Sequence, residues 1–436
     1  YLTKGLELKF LKTDRKIFSK HYFLLDKIDE GDIFDAIGID ASGKKREFIN
    51  GTYFYLNRAS GVQNNGEIIR KLEADVFTSN GTSNEINTYF GRKGEYIEHK
   101  VLKTFLDNQD EGGEMKVCFI DGSLYSRLLM PHLIESPINR DETFILTHLE
   151  TLFQIFKEAL NKNVLLMGIS KDSRDSAFRN ALLDEIFYEE RANLIHHLKP
   201  DELHIINAVI KGIDTINEEN IREFYSLVSN EPNLLKKMKQ IYDEYNITRT
   251  DSEIVYRFAE VSGFTYPLEK GLGRIRQQNI FNDMIKNPEN FVRKNFRKYI
   301  SNLNEVNKNQ FISNAIKIIR QYSDMPTFIS FQILIDIRDN PIKVDFPSWY
   351  FKNWHKLLDF PHVDFFNISE PLFKDFIKIV LKMYGGFENY NLLLSAAHDD
   401  AVLRNKTYNE IYEQILQDKL DILLPFRRRT RRELGR

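Results

Sequence analysis

The stretch from Val117 to Ser173 constrains the fold more than any other part of the chain. It opens with Val117-Cys118-Phe119-Ile120, a short and wholly apolar run that leads straight into Asp121-Gly122-Ser123. A helical pattern follows over 142–160, where Phe144, Leu146, Leu149, Leu152, Phe153 and Phe156 make a broad apolar face. A second apolar run, Val164-Leu165-Leu166-Met167-Gly168-Ile169, then ends at Ser170-Lys171-Asp172-Ser173. Runs without polar alternation are strands covered on both faces, and strand, helix, strand with short links marks two parallel neighbours. The spacing therefore predicts that 116–121 and 164–170 lie side by side in a parallel sheet.

Upstream, residues 33–40 read as a strand ending at Asp40. The aromatic run Thr52 to Leu56 reads as a second strand and 74–78 as a third, joined as consecutive antiparallel neighbours. A helix is expected from about Gly94 to Leu106, with Ile97, Val101, Leu102 and Phe105 at helical spacing. Residues 175–325 are mainly helical in pattern. A strand returns at Thr327 to Leu334, followed by a helix over Glu370 to Met383, the break Gly385-Gly386 and a last helix near Tyr390. Sheet at both ends with helices between predicts an α/β fold: a mixed sheet flanked by helices, carrying a large helical insertion. The corresponding division is 1–184, 185–325 and 326–436.

Composition excludes several alternatives. The chain has 436 residues with 33 Phe and 20 Tyr, more apolar surface than a disordered segment carries. No apolar run approaches the roughly 18 residues of a membrane span, so no membrane association is expected. Tyr1-Leu2-Thr3-Lys4 shows no signal-peptide pattern, and the expectation is a cytoplasmic, reducing compartment. The single cysteine, Cys118, excludes an intrachain disulfide and a cysteine-based zinc site. A formal net charge of −2 argues against a nonspecific polycation but not against a local basic groove. Arg427, Arg428, Arg429, Arg431, Arg432 and Arg436 form one local excess, readable as a solvated end or as a contact for phosphate or an acidic partner.

Phosphodiester hydrolysis by two metal ions needs several carboxylates held on rigid elements and converging on one point. Asp40 ends the first strand, Asp121 ends a later one, and Glu98 lies on the intervening helix, sharing a face with Leu102 and Phe105. Glu95 competes with Glu98, since it also shares the face of Leu102. Each residue taken alone has a plainer reading, the aspartates as turn or cap residues and Glu98 as a half-exposed helix residue. Lys171 ends the third apolar strand, where a cation can hold a phosphate. Tyr390 and His398, eight residues apart, fall on about the same face of a helix.

In order along the chain, these residues resemble the NurA nucleases, DNA-end-processing enzymes. Ile37-Gly38-Ile39-Asp40-Ala41-Ser42 is similar to the first acidic strand of that family, and Gly51 to Leu56 to the strand after it. Phe119-Ile120-Asp121-Gly122-Ser123-Leu124 is similar to its second acidic motif, and Gly168 to Ser173 to a strand-end Ser-Lys motif. Pro341 to Pro347 resembles a late strand, and Tyr390 with Ala397-His398 the closing helix. The resemblance implies an RNase H-like core, Mn2+ or Mg2+ as cofactor, a homodimer, and a HerA/FtsK-type hexameric ATPase that feeds duplex DNA, in end processing or antiviral defence. It implies Asp40, Glu98, Asp121 and His398 as metal ligands, with Tyr390 beside them and Lys171 near the phosphate. The chain departs from the family in reading Asp-Ala-Ser at Asp40 where Asp-Gly-Ser is usual, and in a longer helical middle. Those departures leave open a catalytically weak adaptor that docks on the ATPase ring and positions DNA. RNA or hybrid duplexes are a third substrate reading, since nothing in the sequence reads a 2′-hydroxyl.

Overall fold

In a computed structural model, described for residues 11–25, 34–48, 51–79, 81–129, 136–138, 140–211, 218–247, 249–272, 275–412 and 415, the chain packs as two compact units, each assembled from separated stretches. The first draws on 1–29, 170–282 and 326–382; the second on 30–169, 283–325 and 383–436. These units cut across the stretches 1–184, 185–325 and 326–436. The arginine-rich end at 427–436 lies outside the described residues.

From the N-terminus, α1 (Leu11–Lys20) and β1 (Tyr22–Leu24) precede the long strands β2 (Ala36–Glu47), β3 (Thr52–Gln63) and β4 (Ile68–Thr78). Helix α2 (Ser83–Asp107), β5 (Lys116–Asp121), α3 (Leu124–Leu128), α4 (Phe144–Asn161) and β6 (Val164–Ser170) follow. Five helices come next: α5 (Ala177–Leu194), α6 (Pro200–Lys211), α7 (Glu218–Asn230), α8 (Lys236–Tyr245) and α9 (Asp251–Phe258). Two short strands, β7 (Gly263–Thr265) and β8 (Leu268–Lys270), separate these from α10 (Ile275–Lys286), α11 (Pro288–Asn295), α12 (Arg297–Ser301) and α13 (Glu305–Arg320). The chain then runs through β9 (Phe328–Leu334), β10 (Ile342–Pro347), β11 (Val363–Phe365), α14 (Pro371–Lys382) and α15 (Leu392–Ala401).

The second unit holds the strand order β6-β5-β2-β3-β4. Strands β6, β5 and β2 are parallel, while β3 and β4 continue antiparallel. This is the RNase H-like arrangement that the resemblance implies, and the parallel pairing of β5 with β6 is the one the apolar runs predict. Six of the seven residues of β6 are buried, as expected of a strand covered on both faces.

Helix α2 begins at Ser83, about eleven residues before the expected Gly94. Gly91 and Gly94 blur the periodicity of its first half, whereas the decisive signal is a cap. Thr82 accepts from the backbone of Glu85, and Glu85 reaches back to the backbone of Thr82, the reciprocal pair that satisfies two orphan donors. On the other face, α15 settles directly on β2 at Gly38, where a Cβ would lie 2.4 Å from the Leu393 backbone carbon. Gly38→Val is therefore expected to lift α15 and to lower stability by at least about 1–3 kcal/mol. An unchanged urea midpoint for that variant would contradict this packing.

The first unit has its own core. Phe18, Phe178, Phe187, Met238, Ile241 and Val255 bring together α1, α5, α8 and α9. Its strands are antiparallel: β7, β8 and β10 all pair with β9, β1 with β7, and β11 with β8. Within the mainly helical stretch 185–325, β7 and β8 are strands that the helical pattern did not show. Three residues each are too few to show alternation, and their partner strands lie elsewhere in the chain.

Candidate active site

Asp40 and Asp121 meet because β2 and β5 are parallel and in register. Ile39 pairs with Ile120, so the next residue on each strand is an aspartate. Asp121 is followed by Gly122 at φ +91°, a left-handed turn that glycine adopts without strain, and Ser123 then caps α3. Asp40 is only 6% exposed. Burial and the negative charge of Asp121 raise its pKa, opposed by hydrogen bonds from His398 and the Ala41 backbone.

Each aspartate carries one partner from the closing segment. The Tyr390 hydroxyl donates to Asp121 Oδ1 at 2.9 Å. Burial, and then Asp121, push the phenol well above its usual range, so it keeps its proton and acts as a donor. His398 Nδ1 lies 2.7 Å from Asp40 Oδ2, and its ring is about half exposed. Asn391 accepts from the backbone of Leu393 and Leu394, capping α15 between the two residues.

Glu98 faces inward, as its shared face with Leu102 and Phe105 predicts, and is 7% exposed. Its partner was not foreseen. The Arg127 guanidinium lies 2.5 Å from Glu98 Oε2 and also donates to the Asp121 backbone carbonyl at 2.6 Å. Burial raises the Glu98 carboxyl to about 8; Arg127 pulls it down and Asp40 pushes it up. Arg127 Nη1 also lies 3.3 Å from His99 Nε2, and burial holds that imidazole neutral. The competitor Glu95 pairs with Arg92 at 2.6 Å. The leucines that flank Arg127, at 124, 128 and 129, are the local sequence signal that could have marked a buried cation.

The structure thus brings together Asp40 with Asp121, Asp40 with His398, and Asp121 with Tyr390, and sets Glu98 behind them through Arg127. Among the described residues, no three or more His, Cys, Asp or Glu side chains gather as a ready metal-binding cluster. Two carboxylates in neighbouring register, with Asp40 largely buried and its charged form disfavoured by burial and by Asp121, nevertheless fit a hard divalent cation. Lys171 is exposed in the turn leaving β6 and belongs to the first unit.

The crystal structure of the NurA nuclease from Sulfolobus solfataricus aligns with 95% of this chain and 92% of its own, at 12% identity and a TM-score of 0.51. The chain has the NurA fold. Two further NurA structures, one bound to dAMP and manganese, each align over 94% of the chain at 12% identity, with TM-scores of 0.44 and 0.38. No protein-family model and no curated protein matches the sequence. The likeness is one of fold.

Proposed function

We propose that this protein is a divalent-metal-dependent deoxyribonuclease whose centre is the Asp40–Asp121 pair. The observation that carries the reading is the parallel register that sets Asp40, within β2, beside Asp121, the last residue of β5, each engaged by a residue of the closing segment. Mn2+ or Mg2+ held by these carboxylates, with Glu98 and His398 as further ligands, would supply Lewis acidity and an activated water in a two-metal hydrolysis. The chain's own residues orient the groups. Tyr390 fixes the Asp121 carboxylate through its hydroxyl, His398 Nδ1 does the same for Asp40 Oδ2, and Arg127 anchors the Asp121 backbone. Lys171 is assigned to the scissile phosphate, where a lysine acts as a point charge. In the cell, the reading extends to a cytoplasmic homodimer acting with a HerA/FtsK-type hexameric ATPase in DNA end processing or antiviral defence.

The pairing of Glu98 with Arg127 favours a second reading, the adaptor that docks on an ATPase ring and positions DNA. Incubation of purified protein with linear duplex DNA and Mn2+ or Mg2+ separates the two. Metal-dependent degradation, abolished by a chelator, is the expected result. No degradation, either alone or with the ATPase, supports the adaptor.

A further inference from the structure

We infer that Asp400 is a positioning residue: clamped by Arg70, Ser60 and Arg58, it sets the rotation of α15 and thereby holds His398 against Asp40. The inference rests on the proposed nuclease site and adds a residue to it.

The clamp residues lie on β3 and β4, in line with Asp40 on β2. Asp40 on β2 pairs in register with Ser60 on β3, and Ser60 with Arg70 on β4, so the three form a row across the sheet. Helix α15 lies over this row. At one end His398 meets Asp40. Farther along, Asp400 accepts from Arg70 Nε at 2.8 Å and Nη2 at 2.7 Å, from Ser60 Oγ at 2.7 Å and from Arg58 Nη2 at 3.4 Å. Residues two apart on a helix project roughly 200° apart, so these side chains leave opposite flanks of α15. Ala397 and Ala401 are fully buried on its underside. A helix held from both flanks cannot roll, and a roll is the motion that would carry His398 away from Asp40.

Local electrostatics argue that the aspartate serves more than helix formation. A carboxylate in the last turn opposes the helix dipole. Asp400 sits there next to Asp399, and the bidentate Arg70 contact is the compensation, of the strong charge-assisted kind.

The test compares DNA cleavage by the wild type, Asp400→Asn, His398→Gln and the double variant, with Asp399→Asn as a control of equal charge change. A misplaced catalytic group costs up to about 100-fold in rate, so Asp400→Asn is expected to lower kcat by about tenfold or more with KM nearly unchanged. In the His398→Gln background it should cost nothing further, and exchanging the charges (Asp400→Arg with Arg70→Asp) should restore part of the loss. Additive losses in the double variant, or a raised KM with kcat intact, overturn the inference; the latter would make Arg58 and Arg70 phosphate contacts. Where Asp400→Asn fails to fold, Ser60→Ala removes one bond of the clamp and should show the same non-additivity at smaller size. A wild type that cleaves nothing counts against the nuclease reading alone, and the His398 imidazole 15N–1H signals then read the clamp directly. Asp400→Asn should shift them and Asp399→Asn should not; unshifted signals in both overturn the clamp.

Discussion

Asp121→Asn and Asp40→Asn, each made singly, are expected to lower metal-dependent DNA cleavage by on the order of 1000-fold or more, while leaving the fold intact. An amide keeps the shape of the carboxyl and can still accept from Tyr390 or His398, but it has lost the negative charge that a divalent ion needs. Burial and then the charge of Asp121 raise the pKa of Asp40. Neutralising Asp40, or the Asp121 charge that acts on it, should therefore leave the variants as stable as the wild type or slightly more so. Loss of activity with retained or improved thermal stability is a signature that a purely structural pair would not give. Full activity in both variants would remove the site from these residues.

Arg127→Met has the second large effect, and it falls on stability. Breaking a buried ion pair by removing one partner costs about 3–5 kcal/mol, because the other charge is left buried and uncompensated. Glu98 becomes that other charge only where it ionises, so the cost depends on pH and is full only above about pH 8. Burial raises its folded pKa from 4.5 to about 8 even with Arg127 present. A raised pKa means the folded protein holds a proton the unfolded chain has released. The contribution of Glu98 to stability is thus complete below about pH 4.5 and is lost as pH rises through about 8. Without Arg127 the carboxyl keeps its proton still more firmly, so the Glu98 part of the cost of Arg127→Met should be small below about pH 8 and grow as pH rises through it. Glu98→Gln in the Arg127→Met background should recover much of it. Urea unfolding on both sides of that pH checks both statements, and a cost independent of pH would contradict the role given to Glu98.

The parts of this architecture that could be read from the chain are those whose signal is local. Val117 to Ile120 and Val164 to Ile169 are apolar on both faces, so their parallel pairing was legible, as was Asp121 at a strand end; the expectation that Asp40 also ends its strand is corrected, since β2 runs on to Glu47 through a polar, glycine-containing stretch that hides it. The inward face of Glu98 followed from three residues on one helix. What escaped depends on contacts between distant residues or on chemistry that periodicity does not register. Tyr390 and Asp121 are 269 positions apart, and Arg58, Ser60 and Arg70 meet Asp400 only once β3 and β4 have paired and α15 has settled on Gly38. Arg127 follows Ser126 and precedes Leu128 and Leu129, so its burial is only weakly signalled, and no sequence pattern names its partner. The early start of α2 was visible in Thr82-Ser83-Asn84-Glu85, a capping signature outweighed by the two glycines after it.

The central claim, that Asp40 and Asp121 together hold a divalent cation, is tested most directly by a crystal structure of the protein with Mn2+, collected for anomalous scattering. The account predicts manganese density in contact with both carboxylates. Manganese bound elsewhere, or both carboxylates free of metal at a Mn2+ concentration that supports DNA cleavage, would contradict it.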